Sequence, residues 1–149
     1  MIVQKPVPAV TASVVREWSM DYTMVYGVVS LARIHSRRYL TLMGWRGDAE
    51  DAVLMVSELV SNAVDHGRIA HRLLTLRLAV LEDGGLLIDV SDPVDDFPRF
   101  GEAIEPGETD ERGRGLLLVQ RLGGRLSWYP RHDYGKTVRA HVQPGMRAW

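Results

Sequence analysis

The order in which hydrophobic periods change along the chain predicts an α+β fold, a two-layer sandwich with a largely antiparallel sheet. Three observations carry that expectation. Two stretches of helical spacing come first, a strand pair of period two follows, and a short apolar helix then leads into a second strand pair. Strands alternating singly with helices would instead indicate a Rossmann or P-loop order.

The 149 residues suit one domain, 1–149, large enough to bury a two-layer core without staples. Hydrophobic residues make up 46% and charged residues 25%, the balance of a globular chain. A net charge of -1 removes any chain-wide basic field for nucleic acid or an anionic membrane. Without cysteine there is no disulfide framework, thiolate metal site or cysteine nucleophile, and cytoplasm is the simplest compartment. No apolar run approaches the roughly 18 residues of a membrane span. Residues 1–20 read as an N-terminal extension, and the periodicity leaves open whether Trp18 joins the core.

From Val25 to Leu42 the apolar residues Val25, Val28, Val29, Ala32, Tyr39 and Leu42 recur with helical spacing, and arginines fill the other face. Gly44 to Gly47 interrupts the pattern. Asp48 then suits an N-cap, with Glu50 and Asp51 at the positive end of a second helix over Ala49–Asp65. Leu74, Leu76, Leu78 and Val80 alternate with other residues as a half-buried strand, and Asp83-Gly84-Gly85 turns the chain into Leu86–Ser91. Pro93 to Arg112 carries three prolines, two glycines and many acids, and reads as a lid or a segment without fixed structure. Gly113-Arg114-Gly115 opens a short helix over Leu116–Leu122, and Gly123-Gly124 closes it. A last hairpin runs over Arg125–Tyr129 and Lys136–Val142.

Three groups of residues in this framework have the makings of a site. On the second helix Glu58 and Asn62 stand one turn apart on one face with Asp65 beside them, opposite Ala52, Val53, Val56, Leu59, Val60, Ala63 and Val64. The same stripe also suits a solvated helix face. Asp92 ends an apolar row of Leu86, Ile88 and Val90, where a half-buried acid needs donors such as an adenine amino group. A strand-end Asp that starts a turn with Pro93 is the plainer alternative. Gly113-Arg114-Gly115 allows backbone N–H groups to approach an anion at a helix start, although glycines are common there.

In this order the three groups resemble the gyrase, heat-shock chaperone, histidine kinase and MutL superfamily of ATPases, most closely its anti-sigma-factor serine kinases. Ser57 to Gly67, with Glu58, Asn62 and a closing His66-Gly67, resembles the N box. Ile88 to Asp92 resembles the strand entering the first glycine box, Gly113 to Leu116 the second box, and Gly135 to Val138 the strand whose threonine supports the adenine-binding Asp. The resemblance covers about Ala32 to Val142 and implies the superfamily's sandwich, the Bergerat type with helices on one sheet face. It further implies ATP and Mg²⁺ as ligands. Asn62 would hold the metal, Glu58 would be the general base, Asp92 with Thr137 would hold adenine, and Gly113, Arg114, Gly115 and Leu116 would lie at the phosphates. Asp65 is a further implied ligand contact, while His66 equally suits the last carbonyls of its helix.

The superfamily usually follows its adenine-binding Asp with two glycines, whereas this chain reads Asp92-Pro93-Val94-Asp95-Asp96. That departure implies a looser approach of backbone to nucleotide. The resemblance implies a serine/threonine protein kinase that phosphorylates an anti-sigma-factor antagonist, binds a sigma factor in alternation and pairs as a homodimer. The alternative is a nucleotide-holding module that sequesters a partner without phosphoryl transfer. Neither reading involves nucleic acid or a membrane.

Overall fold

A computed structural model describes residues 10–66, 68–95 and 111–143, with 111–114 by backbone alone. Its elements are β1 (Val14–Thr23), α1 (Gly27–Leu42), α2 (Ala49–His66), β2 (Leu73–Leu81), β3 (Leu86–Asp92), α3 (Glu111–Arg121), β4 (Gly124–Pro130) and β5 (Lys136–Val142). The strands form one sheet in the order β1-β2-β3-β5-β4, and every neighbouring pair is antiparallel. This is the α+β sandwich expected from the sequence. Most of the expected lid, 96–110, lies outside the described residues, as do 1–9 and Gly67.

Alternation along the strands places Leu74, Leu76, Leu78 and Val80 of β2, Leu86, Ile88 and Val90 of β3, and Val138, Ala140 and Val142 of β5 in one buried cluster. The helices meet them from the same side. α2 contributes Ala52, Val53, Val56, Leu59, Val60, Ala63 and Val64, as its spacing predicts, together with Met55. α1 begins two residues later than the periodicity predicts, which leaves Val25 outside it, and turns Val28, Ala32, Ser36 and Leu40 inward, while Leu42 at its end is exposed. Its end is sealed by the Gly44 N–H donating to Thr41 O at 3.0 Å and the Trp45 N–H to Leu40 O at 3.1 Å. Asp48 caps α2 as expected, accepting at Oδ1 from the Asp51 N–H at 3.0 Å.

The N-terminal segment is the main correction. Residues 14–20 are no appendage, because β1 pairs with β2 along nearly its whole length, from Val14 opposite Leu81 to Thr23 opposite Leu73. The signal was present: Trp18, Met20 and Tyr22 alternate with Glu17, Ser19 and Asp21. Trp18 packs on the core and stacks on Tyr39 of α1, ring centroids 4.6 Å apart at 13°. Tyr22 is buried, shares a 2.7 Å hydrogen bond with His35 Nδ1, and burial pushes its pKa up to about 12.

The other sheet face carries a ladder of charges. Arg77 Nε of β2 donates to Glu17 Oε2 of β1 at 2.7 Å, and Arg77 Nη1 reaches Asp89 Oδ2 of β3 at 3.3 Å. Arg139 of β5 grips both Asp89 oxygens at 2.8 and 2.9 Å and reaches the Tyr129 hydroxyl of β4 at 3.3 Å. One polar chain thus crosses all five strands, with Asp89 only 4% exposed at its centre.

If β1 is an integral strand, Trp18→Ala removes a core-facing ring and its stack, and should lower unfolding free energy by about 2–3 kcal/mol. Urea denaturation with an unchanged slope measures it; a loss within error would mean that β1 only decorates the sheet.

Candidate functional site

The apolar face of α2 is committed to the sheet, so the residues on its other side are presented as a set. Glu58 and Asn62 are half-buried, and Asp65 is exposed near the helix end. The Asp65 carboxylate accepts a hydrogen bond from the Tyr26 hydroxyl at the start of α1, which ties the two helix ends together. α2 extends one residue beyond Asp65, and His66 forms its final position.

Glu58 is positioned by an absence of side chain. Gly115 of α3 lies so close that a Cβ built on it would collide with Glu58 Oε2. Helix α3 therefore packs directly over the carboxylate and shields it from water, and burial raises the Glu58 pKa above the ordinary glutamate value of 4.5. A carboxyl kept partly dry and poised to take a proton is the physical requirement for a general base.

The helix bearing the glycines starts earlier than the sequence predicts, at Glu111 rather than after Gly115. Gly113 falls in its first turn, whose N–H groups have no intrahelical acceptor, while Gly115 and Leu116 fall in the second. Gly115 thus lies within the helix rather than ahead of it, and at this position it approaches Glu58 closely. Leu116 is 1% exposed and belongs to the core. The side chain of Arg114 lies outside the described residues.

Asp92 ends β3 on the helix side of the sheet and is 2% exposed, in the row expected for it. Its partner differs from expectation. In the β3–β5 register Ser91 stands opposite Thr137 and Asp92 opposite Lys136. Directly opposed residues share a face, so Thr137 lies on the far side of the sheet from Asp92, and its hydroxyl pairs with Ser91 Oγ at 2.7 Å. Lys136, 3% exposed, supplies the support instead: its Nζ lies 3.0 Å from Asp92 Oδ1 and 2.9 Å from Oδ2.

The turn before β5 completes this arrangement. Gly135 has φ +80°, and a Cβ there would collide with the Asp92 carbonyl oxygen, so glycine is required twice over. Its N–H donates to Asp95 Oδ1 at 2.6 Å, and the Val94 N–H donates to Asp92 Oδ1 at 2.8 Å. Burial raises the Asp92 pKa, with Lys136, the Val94 N–H and Arg131 acting in the opposite direction. Sequence reasoning missed Lys136, although a lysine heading the row of Val138, Ala140 and Val142 carried the signal.

Among the described residues no cluster of three or more His, Asp or Glu could hold a metal ion, and no helix is long and apolar enough to cross a membrane. A metal at Asn62 would take most of its ligands from elsewhere.

Comparison with known proteins adds family information. A family model described as the histidine kinase-like ATPase domain matches residues 31–142. The RsbU and RsbW domains of Rv1364c from Mycobacterium tuberculosis share the fold, with TM-score 0.61 and 19% identity over 86% of this chain and 32% of that one. The SiaB-SiaC complex structure from Pseudomonas aeruginosa gives TM-score 0.60 and 19% identity over 84% and 88% of the two chains. The histidine kinase domain of a blue-light activated histidine kinase from Erythrobacter litoralis EL346 gives TM-score 0.51 and 26% identity over 64% and 44%. The chain thus spans about a third of the mycobacterial structure and under half of the Erythrobacter one. No curated protein matches.

Two outcomes follow for the protein without ligand. Glu58→Gln should raise Tm by a few degrees at pH 7, where ionised Glu58 suffers its desolvation. The folded-state pKa is raised, so native protein binds the proton more readily and the penalty fades as pH falls through that pKa toward 4.5. Thermal melts at pH 7 and pH 4 test this, and an equal gain at both would contradict it. Lys136→Met leaves Asp92 buried without its cation and should cost about 3–5 kcal/mol, whereas Asp92→Asn combined with Lys136→Met should recover most of that loss in the same denaturation assay.

Proposed function

The chain belongs to the histidine kinase-like ATPase domain family, and on that premise we propose that it is a cytoplasmic ATP-binding regulatory protein of the anti-sigma-factor serine/threonine kinase type. In this reading it phosphorylates an anti-sigma-factor antagonist, sequesters a sigma factor and works as a homodimer. The observation that carries the reading is the Glu58–Asn62 pair of α2, half-buried and roofed by Gly115 of α3.

The residues fit a nucleotide unequally. On the side of Glu58 and Asn62 there is a carboxyl in a desolvated setting, an amide one turn away, and a glycine whose backbone lies close against that carboxyl. On the side of Asp92 the acceptor already holds Lys136.

When bound, MgATP supplies the phosphoryl group and the charge that its metal neutralises. Asn62 would offer its side-chain oxygen to the metal, and the N–H groups of Gly113 and Arg114 would serve the phosphates. Asp65 stands at the rim and Leu116 anchors α3 beneath the site. Glu58 takes the proton of an incoming serine hydroxyl, and the dry wall formed by α3 keeps water from competing for the same position. Asp92 marks the base end of the pocket, and Thr137 braces that strand through Ser91.

The ion pair at Asp92 also favours a second reading, in which the fold retains a nucleotide loosely and acts by capturing a partner protein. The SiaB-SiaC structure is a complex, which makes protein capture a sensible activity to seek here.

Transfer of labelled γ-phosphate to a candidate antagonist protein separates the two. The kinase reading expects serine phosphorylation that falls about 10²–10⁴-fold in Glu58→Ala. Phosphorylation that survives the substitution would remove Glu58 from the role of base, and capture of the partner with no phosphorylated product would favour the second reading.

A further inference from the structure

A cavity of about 350 Å³ opens between the start of β1, the end of β2, the α1–α2 loop and the β2–β3 turn. That volume falls in the range of small-molecule sites. The cavity stands at the opposite end of β3 from Asp92, about 20 Å away at about 3.3 Å per residue, and shares no residue with the Glu58 site.

Its walls are fixed by backbone and turn geometry. Trp45 forms one of them: its Nε1 donates to Gly84 O at 3.0 Å and so ties the α1–α2 loop to the β2–β3 turn. The ring also lies so close to Gly47 that a Cβ there would collide with it. A β-bulge shapes another wall. In the β1–β2 register Val14 stands opposite Leu81 and Arg16 opposite Val80, so Val15 is an extra residue without a partner in β2. Bulges re-aim side chains beside binding sites, and Val15 lines the cavity while 48% exposed.

Charge sets the kind of ligand. Arg16, Arg46 and Glu82 are the charged residues of the lining, and two guanidiniums against one carboxylate leave a net charge of +1. Among the described residues neither arginine forms an ion pair. A guanidinium offers a fork of N–H donors that matches a carboxylate. A pinned aromatic ring, an apolar bulge and a single net positive charge together complement a monoanion with an apolar body.

We propose that this cavity binds a small organic monoanion, a carboxylate on an aromatic or aliphatic body, with the body against Trp45 and Val15 and the carboxylate at Arg16 and Arg46. The site is separate from the nucleotide reading, and its failure would leave that reading untouched.

The test uses three molecules that share one body and differ in charge: phenylpropionate, phenylpropanol and phenylpropylamine. Each is titrated into isotope-labelled wild-type protein while the Trp45 indole N–H resonance, assigned through Trp45→Phe, is followed. Phenylpropionate should move that resonance saturably with a Kd below about 1 mM, and the alcohol and the amine should bind at least about tenfold more weakly. Arg16→Gln combined with Arg46→Gln should weaken phenylpropionate by about tenfold or more and leave the alcohol unchanged. No saturable shift with phenylpropionate up to about 10 mM overturns the proposal. Equal binding of the acid and the amine reduces the cavity to an apolar cleft and overturns it, as does phenylpropionate binding that survives both substitutions in folded protein. Both arginines are exposed, so the double variant should fold; should it not, the charge series on wild-type protein decides alone.

Discussion

Everything at the site depends on how α2 lies on the sheet. Eight of its side chains are buried against β2, β3, β5 and the neighbouring helices, and this leaves the helix no freedom to rotate about its axis. Rotation by a single position would carry Met55 or Val56 toward solvent and bring a polar residue into the core. Glu58 and Asn62 therefore owe their shared direction to apolar packing on the opposite side. The chemistry of the polar face is an outcome of the energetics of the other face.

Helix α3 adds a second constraint. Because Gly115 presents only backbone to Glu58, the helix can lie close enough to strip water from the carboxyl without contributing a charge. At the end of β3 the same economy of space recurs: Gly135 brings the start of β5 against the Asp92 backbone, and Lys136 follows at once as the paired cation. The two glycines thus shape the surroundings of Glu58 and of Asp92 by what they omit.

Most of the architecture was legible because its signals were periodic. The apolar rows of β2 and β3 and the capped start of α2 needed only alternation, helical spacing and Asp48. β1 is harder to read although Trp18, Met20 and Tyr22 alternate, because two prolines precede it and Glu17, Ser19 and Asp21 face outward. Start and end positions were blurred where flanking residues decide them, as at Val25 and Glu111. At the site, the positions of Glu58, Asn62 and Asp92 followed from period alone. The partner of Asp92 did not, since choosing between Lys136 and Thr137 requires the β3–β5 register, a long-range property that neither strand's own sequence carries.

The charged ladder on the outer face bears on how the chain finds that register. A strand slipped by two residues keeps its apolar side chains on the helix face, so hydrophobic burial barely distinguishes it from the correct alignment. The ladder does distinguish it. Slipping β3 past β2 in this way would set nearly buried Asp89 opposite Thr75 or Ala79, and slipping it past β5 would set it opposite Thr137 or His141. Either error takes from this nearly buried acid one of the two arginines that neutralise it. The outer face thus works as a proofreading key for the sheet, rejecting misaligned intermediates that the core alone would tolerate, and the pairing of Asp92 with Lys136 inherits its accuracy from it.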